Sequence, residues 1–302
     1  MVSGLEFAVE VRVNALGLRG PEPSAPVEGQ ANVVVLGDSF VLGAQVPEEQ
    51  VLASQLAVAL GGQEGRVVRV HNAGVDGYAT RQETAWLEAL VDPLRLQVVV
   101  LVFFLGNDLW ENARYPERQA AAARGERGEK KAGQGLLVDA LLRRSHLFAR
   151  LGAAWAGWTG ALPPERERFT QELALFTNTP PPPQVEAETA AALAELDARC
   201  RARRLACVVA LAPPAFALDA ARAARALRVY GLAPESLDLE APARLVLRLL
   251  PSGLPAVDLT PALKAAADAG QRPYLSYDGH WSAQGHEVTA AALAPVVAPL
   301  LR

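Results

Sequence analysis

Cysteine, methionine and histidine are scarce in this sequence, and their scarcity excludes several classes of protein. The 302 residues include two cysteines, one methionine and four histidines. Two cysteines cannot form a disulfide framework. Because Cys200 falls on a predicted helix and Cys207 on the strand after it, we expect both to be buried apolar side chains. No cluster of histidine, cysteine and carboxylate side chains has the spacing of metal ligands, so the sequence predicts no metal site.

Clustered positive charge and long apolar runs are also missing. The formal net charge is −4 and the 29 lysines and arginines are dispersed, which gives a nucleic-acid partner little support. The most apolar run, residues 98–105, is too short to cross a bilayer. Residues 1–10 lack a basic segment followed by an apolar one, so we expect a soluble chain without a signal peptide or a membrane span. Localisation stays open between the cytoplasm and export.

Short apolar runs alternate with amphipathic helical segments along most of the chain. The run at residues 33–36 is continuous and apolar, as in strands that are buried on both faces. Comparable strands are expected at residues 67–71, 98–105, 205–211 and 256–259. This alternation predicts an α/β fold in which helices cover both faces of a parallel sheet. Such sheets carry their reactive groups on loops at the carboxyl ends of the strands.

The length and a hydrophobic content of 51% fit one large domain with insertions. We expect an N-terminal arm over residues 1–30, in which apolar alternation at 6–13 favours an edge strand, and a single domain over 31–302. Residues 111–135 are charged and poor in apolar side chains, which predicts an exposed insertion. Residues 161–185 contain four consecutive prolines, which predict a stiff extended connection.

A serine follows the first predicted strand directly. Gly37 allows a sharp turn, which leaves Ser39 at the carboxyl end of that strand. A serine hydroxyl is a weak nucleophile at neutral pH and needs a neighbouring base, most often histidine. Ser39 is therefore a candidate nucleophile. A helix cap or a turn residue is the alternative for this serine taken alone.

Two further strand ends carry groups that could stabilise an oxyanion. After the second strand, Gly74 and Gly77 lack a Cβ and bring backbone N–H groups to the edge of the sheet. After the third strand, the side-chain amide of Asn107 could donate toward the same place. Each of these segments could be an ordinary turn. Three successive strand ends with a hydroxyl, a backbone N–H and an amide nevertheless indicate a shared site.

The fourth candidate group lies just before the last predicted helix, at residues 282–301. Asp278 and His280 are two residues apart, so in an extended loop both side chains point to the same side. The carboxylate can then orient the imidazole or stabilise its charged form. A surface histidine is the alternative for His280 taken alone.

These four segments occur in the order of the blocks of the SGNH hydrolase superfamily, the GDSL-type esterases and lipases, which the sequence resembles. Residues 37–40 resemble the first block, with Phe in place of the more familiar Leu, and residues 72–77 the second. Residues 106–108 resemble the third block and residues 278–280 the last. The resemblance extends over residues 31–302. It implies a three-layer α/β/α sandwich around a five-stranded parallel sheet, a flavodoxin-like arrangement.

The resemblance also implies a role for each matching residue. Ser39 would attack an acyl carbonyl, and its backbone N–H would join the oxyanion hole with the N–H of Gly77 and the amide of Asn107. His280 would take the serine proton and deliver it to the leaving alcohol, while Asp278 orients the imidazole. No metal or organic cofactor is needed for this chemistry.

The last block departs from the common family pattern. Only Gly279 separates Asp278 from His280, whereas many members have two residues between them. The shorter spacing resembles a branch of polysaccharide O-acetyltransferases, including those acting on alginate, so acyl transfer stays open. His286 also stays open as the base, although a position at the start of a helix favours a structural role.

Other polar residues receive structural interpretations. His71 is expected to pack at a strand end, and His146 to be solvated or to cap a helix. Asp38 and Asp108 are expected to hold their loops through hydrogen bonds to nearby N–H groups. Thr80 and Glu83 have the spacing of a capping box at the start of a helix.

Five aromatic residues each have more than one interpretation. Tyr78, Trp110 and Trp281 are near the candidate site in sequence, where they could line an acyl pocket, stack on a sugar or pack beneath the loops. Trp155 and Trp158 lie on an amphipathic stretch and could cover the site or form a contact surface.

The leading functional hypothesis is serine-dependent hydrolysis of a carboxylic ester, with a small-molecule or carbohydrate ester as the substrate. A second hypothesis is transfer of the acyl group from the same intermediate to a glycan hydroxyl. A third is a binding module that kept the fold and lost catalysis, against which the complete set of candidate residues argues.

Overall fold

The computed structural model of the protein describes residues 1–24, 29–61, 67–125 and 164–301. The strands are β1 (Val2–Ser3), β2 (Ala8–Val9), β3 (Ala31–Gly37), β4 (Val68–Gly74), β5 (Val98–Phe104), β6 (Ala206–Ala212) and β7 (Ala256–Asp258). The helices are α1 (Ser39–Leu42), α2 (Leu52–Gly61), α3 (Thr80–Leu94), α4 (Asp108–Ala123), α5 (Pro164–Ala174), α6 (Pro183–Arg203), α7 (Ala220–Val229), α8 (Ala241–Leu249), α9 (Thr260–Asp268) and α10 (Ala283–Val297). Short 3-10 helices lie at Glu48–Gln50, Ala215–Leu218, Pro234–Ser236 and Ala298–Leu300.

Five parallel strands form the central sheet, in the order β4-β3-β5-β6-β7. Each apolar run of the sequence lies in or overlaps one of these strands, so the prediction of a five-stranded parallel sheet is confirmed. Along the chain, β3 is the first strand of this sheet. The next strand, β4, lies on one side of β3, and the strand after it, β5, lies on the other side. Connections therefore diverge between β3 and β5, which is where ligands bind in sheets of this topology, beyond the carboxyl ends of the strands.

Helices cover both faces of the sheet and enclose two hydrophobic clusters. Val33 and Val35 of β3 pack in the cluster with α1, α2, α9 and α10. Val34 and Leu36 point the other way, into the cluster with α3, α4, α6 and α8, because side chains alternate along a strand. The three-layer α/β/α architecture is confirmed. None of the described helices is long and apolar enough to span a membrane.

Both cysteines lie in the core, as predicted. Cys200 on α6 and Cys207 on β6 are buried in the same hydrophobic cluster, and both thiols are free. The hydrogen bond with the Cys200 thiol, together with burial, raises the pKa of the Cys207 thiol, which keeps it uncharged at neutral pH.

The edge strand predicted over residues 6–13 is wrong. Only β2 is a strand there, and it pairs antiparallel with β1 in a separate two-stranded sheet. The edge of the central sheet is reached instead by Arg19, whose N–H donates to the carbonyl of Asn72 on β4 at 3.1 Å. The guanidinium of Arg19 fixes this arrangement, because it is buried and donates to the carbonyls of residues 42, 43 and 46.

The extended connection predicted over residues 161–185 is also wrong for most of its length. Helix α5 occupies Pro164–Ala174, since helix-favouring glutamate, glutamine and leucine side chains outweigh the prolines that follow. Pro183 then begins α6, at the first helical position, where a missing N–H costs no intrahelical hydrogen bond.

The insertion predicted over residues 111–135 begins inside α4 (Asp108–Ala123). Glu111, Asn112 and Ala113 are buried, so the expectation of exposure fails for this first turn because it packs against α3 and α6. Residues 126–135 lie outside the described residues, as do His146, Trp155 and Trp158.

Helix α3 begins at Thr80 as predicted, but Thr80 and Glu83 do not form its capping box. The side-chain oxygen of Gln82 accepts instead from the N–H of Ala79 at 3.0 Å. Thr80 and Glu83 are fully buried, and the Thr80 hydroxyl accepts from the amide of Asn112 on α4 at 3.1 Å.

Candidate active site

Ser39 is the first residue of α1, immediately beyond the carboxyl end of β3. Asp38 caps this helix, because its Oδ1 accepts from the N–H of Phe40 at 2.9 Å. The end of β4 packs tightly against the same helix, where a Cβ at Gly74 would lie 2.1 Å from the nitrogen of Leu42. Glycine is thus required at position 74, and the close approach fixes the helix that carries the serine.

The loop before α10 brings a histidine to this serine. His280 Nε2 lies 2.8 Å from Ser39 Oγ, and His280 Nδ1 lies 2.5 Å from Asp278 Oδ1. Because Nδ1 faces a carboxylate, the tautomer with a proton on Nδ1 leaves Nε2 free to accept from the serine hydroxyl. The three residues that the sequence places in two distant segments therefore form one hydrogen-bonded chain.

Aromatic packing holds the imidazole from one side. The ring of Phe40 lies 4.8 Å from that of His280 and contacts Trp281 edge-on at 5.1 Å. Trp281 is fully buried, so it packs beneath the loop and does not line a pocket. The carbonyl of His280 accepts from the N–H of Leu275 at 2.9 Å, which ties the two arms of the loop together.

Asp278 is held as a charged group. Burial works to raise the pKa of its carboxyl, but the hydrogen bond and the charge of His280 outweigh burial and leave the pKa below its ordinary value. The side chain of Gln45 also hydrogen-bonds to this carboxylate. An ionised Asp278 can therefore orient the imidazole and stabilise the imidazolium that forms when His280 takes a proton.

Two of the three predicted oxyanion donors, Gly77 and Asn107, follow the strands on either side of β3. Asn107 directly precedes α4 at the end of β5, and its Nδ2 lies 3.4 Å from Asp38 Oδ2. A hydrogen bond of that length is weak, so little would be lost if the amide turned to a substrate oxygen. Gly77 lies in the turn after β4 with a φ of 74°, a conformation that favours glycine. Their roles as donors remain predictions.

A group of buried carboxyls lies behind Ser39. Burial raises the pKa of Asp38 to about 6, against the opposing effects of the Phe40 N–H, the charge of His280 and the Asn107 amide. Asp108 holds its own loop as predicted, because its Oδ2 accepts from the N–H of Phe104 at 2.7 Å. Burial, with the charge of Asp38 adding to it, raises the pKa of Asp108 well above its usual range.

Glu83 belongs to the same buried group, although its spacing from Thr80 predicted a capping residue. Neither of its carboxyl oxygens has a hydrogen-bond partner among the described residues. Burial and the charge of Asp38 raise its pKa well above the usual range, which favours the uncharged form of Glu83. Its spacing to Leu87, Leu90 and Leu94 on α3 places it on the apolar face of the helix, and that pattern would have predicted its burial.

His286 is a packed structural residue. It is buried in the first turns of α10, and its Nδ1 accepts from the N–H of Leu52 at 3.1 Å. Its ring contacts Trp281 edge-on at 5.5 Å. Burial lowers the pKa of His286 to about 3. The hydrogen bond to α2 occupies one ring nitrogen, and His280, not His286, contacts Ser39.

The other candidate residues, His71, Trp110 and Tyr78, differ in their surroundings. His71 is half-buried on β4, and burial lowers its pKa to about 4, consistent with a packed strand residue. Trp110 Nε1 donates to the carbonyl of Gln171 at 2.8 Å, which fixes α4 to α5. Tyr78 is partly exposed next to Gly77.

Within the described parts of the chain, no group of three or more histidine, cysteine or carboxylate side chains could hold a metal ion.

The C-terminal part of the chain matches a protein family. Residues 169–301 match the family model described as an SGNH hydrolase-like domain, acetyltransferase AlgX. The match confirms the resemblance seen in the sequence over a region that contains Asp278 and His280, while Ser39, Gly77 and Asn107 precede it. No curated protein matches the chain.

Several solved structures are similar to the chain along most of its length. An alpha/beta hydrolase from the metagenome of Lake Arreo, Spain, is 19% identical over 89% of this chain and 95% of its own, with a TM-score of 0.45. A putative lipolytic protein of the G-D-S-L family from Desulfitobacterium hafniense DCB-2 is 13% identical over 88% and 99%, with a TM-score of 0.42. An acetyl xylan esterase from Geobacillus stearothermophilus is 13% identical over 88% and 93%, with a TM-score of 0.43.

The burial of His286 predicts how the stability of the protein depends on pH. The folded-state pKa of about 3 lies below the ordinary value of 6.5, so the unfolded chain binds the proton first. The stability contributed by the neutral imidazole is complete above pH 6.5 and is lost progressively toward pH 3. At pH 5 we expect a loss of about 2 kcal/mol from this residue.

Urea unfolding at pH 7 and pH 5 tests this expectation with the variant His286→Asn. Asparagine keeps an oxygen that can accept from Leu52 and removes the titrating ring. Between the two pH values, the free energy of unfolding should fall by about 2 kcal/mol less in the variant than in the natural chain. An equal fall in both proteins would contradict a buried, neutral His286.

Proposed function

We propose that the protein hydrolyses a carboxylic ester through a covalent acyl-enzyme on Ser39. The observation that carries this proposal is the hydrogen-bonded chain from Ser39 Oγ to His280 Nε2, at 2.8 Å, and from His280 Nδ1 to Asp278 Oδ1, at 2.5 Å. Nucleophile, base and orienting carboxylate are arranged as serine-dependent acyl transfer requires.

The first half of the proposed reaction forms the acyl-enzyme. Ser39 Oγ attacks the ester carbonyl while His280 Nε2 takes the hydroxyl proton. The oxyanion that develops is stabilised by the N–H groups of Ser39 and Gly77 and by the amide of Asn107. The carbon–oxygen bond to the alcohol then breaks, and His280 gives its proton to the leaving oxygen. Asp278 stabilises the imidazolium between the two proton transfers.

The second half returns the enzyme to its starting state. A water molecule attacks the acyl-serine carbonyl and gives a proton to His280, which passes it to Ser39 Oγ as the acid leaves. Water can reach the intermediate, because the His280 side chain is 25% exposed and that of Asp278 is 29% exposed. The chain's own residues supply every proton transfer, so the reaction calls for no cofactor. An acylated carbohydrate or a small acylated metabolite is the substrate class that we propose.

The raised pKa values of the carboxyls behind Ser39 favour the proposed chemistry. Negative charge next to the developing oxyanion would raise its energy. Burial raises the pKa of Glu83 and that of Asp108 well above the usual range, which disfavours negative charge on these two carboxyls at this side of the serine.

A second candidate function is transfer of the acyl group to a glycan hydroxyl. The family model that matches residues 169–301 is described as an acetyltransferase, and the single residue between Asp278 and His280 resembles that branch. Transfer uses the same acyl-enzyme, with a sugar hydroxyl in the place of water. The third hypothesis, an inactive binding module, has less support because Ser39 and His280 are in hydrogen-bonding contact.

Replacing the nucleophile should abolish turnover. We expect Ser39→Ala to lower kcat on p-nitrophenyl acetate by at least about a thousandfold, because no acyl-enzyme can form. Ser252→Ala is the matched control, since Ser252 is an exposed residue of a distant turn, and it should keep full activity. Release of p-nitrophenol measures both variants. Unchanged turnover in Ser39→Ala would remove Ser39 from the mechanism.

Product balance should separate hydrolysis from transfer. With p-nitrophenyl acetate as donor, and xylo-, manno- and uronic-acid oligosaccharides as acceptors, hydrolysis predicts one acetate released for each p-nitrophenol. Transfer predicts less acetate than p-nitrophenol, with the missing acetyl groups found on a sugar by mass spectrometry. That deficit in the natural chain, absent from Ser39→Ala, would overturn hydrolysis as the main reaction.

A further inference from the structure

One carboxylate from the N-terminal segment contacts the loop that carries Asp278. Glu6 Oε1 accepts from the N–H of Ser276 at 2.9 Å. Its Oε2 accepts from the N–H of Tyr277 at 2.8 Å and from that of Asp278 at 3.2 Å. Three consecutive backbone donors thus converge on a side chain that is about 270 residues away in sequence.

This contact lies between two other structural features of the loop. On the N-terminal side, Tyr274 and Leu275 are paired with Trp281 and His280. After residue 278 the chain passes through Gly279, which has a φ of 83°. The three N–H groups between these points all donate to Glu6, so Glu6 sets the position of the backbone from which the Asp278 side chain extends.

The charge of Glu6 suits this task. Burial and the nearby Asp278 carboxylate work to raise its pKa, but the three backbone hydrogen bonds outweigh them and hold the pKa below its ordinary value. Glu6 is therefore ionised at neutral pH. A carboxylate offers two acceptor oxygens and no donor, which matches converging N–H groups. A glutamine side chain at this position would offer only one acceptor oxygen, and its NH2 group would face a backbone N–H group, which is also a donor.

We propose that Glu6 is a positioning residue of the active site. It holds the loop so that Asp278 stays within hydrogen-bonding reach of His280 Nδ1 and the imidazole stays aligned on Ser39. The inference rests on the proposed function of these three residues. It also gives the N-terminal segment a part in catalysis, although that segment lies outside the resemblance to SGNH hydrolases.

Enzyme kinetics with three Glu6 variants and one control test this role. We expect Glu6→Gln and Glu6→Ala to lower kcat on p-nitrophenyl acetate by about 10-fold to 100-fold, with KM changed by less than about twofold, because Asp278 and His280 act on the chemical step. Glu6→Asp keeps both acceptor oxygens and should retain more activity than either. Glu10→Gln removes an exposed carboxylate that pairs only with Arg12 in this segment, and should behave as the natural chain does.

Hydrogen exchange gives a readout that does not depend on turnover. The amides of residues 276–278 should exchange at least several-fold faster in Glu6→Gln than in Glu10→Gln. Unchanged kcat in both Glu6→Gln and Glu6→Ala, or unchanged exchange at these amides, would overturn the proposal. If the natural chain shows no turnover that depends on Ser39, the proposed function falls, and the exchange experiment still decides whether Glu6 holds the loop.

Discussion

The hydrogen bond between Ser39 and His280 is the contact on which the proposed function depends, and it requires that the two ends of the domain meet. Ser39 follows the first strand of the central sheet, and His280 precedes the last helix. Because the strands are parallel, Ser39 and Asn107 both lie beyond the carboxyl ends of their strands, at the same end of the sheet. Helix α10 packs on the same face as α1 and α2, which brings the loop before α10 to that end.

The surroundings of this hydrogen bond are organised by burial. Phe40 and Trp281 pack against the imidazole and beneath its loop. His286 fixes the start of α10 to α2 through Leu52. Behind the serine, burial raises the pKa values of Glu83 and Asp108 well above those of exposed carboxyls. Stability and chemistry are therefore linked, because the same packing that orders the loops also sets the charge next to Ser39.

Much of this arrangement follows from sequence pattern. Continuous apolar runs such as residues 98–105 predict buried parallel strands, and topology then places their following loops together. The role of a single residue can also be predicted where its side chain bonds to backbone close in sequence. Asp38 and Asp108 are examples, because each carboxyl accepts from a nearby backbone N–H group. The prediction of α/β layers needs no tertiary information, since the alternation of strand and helix is itself the signal.

The predictions that are wrong or missing concern segments whose structure cannot be read from the local sequence pattern. Residues 6–13 alternate like a strand, yet Arg19 reaches the edge of the sheet because its buried guanidinium donates to three backbone carbonyls. Residues 161–185 contain prolines, yet helix propensity prevails over 164–174. Glu6 is an exposed acid in a short irregular segment, and no periodicity or spacing links it to a loop about 270 residues later.

Covalent labelling tests the central contact most directly. A fluorophosphonate probe reacts with a serine only when a base activates the hydroxyl, and peptide mapping identifies the residue that is modified. The structure predicts a label on Ser39 in the folded protein, and a labelling rate at least about a hundredfold lower in His280→Ala. A label on another serine, no label at all, or an equal rate without His280 would contradict the account.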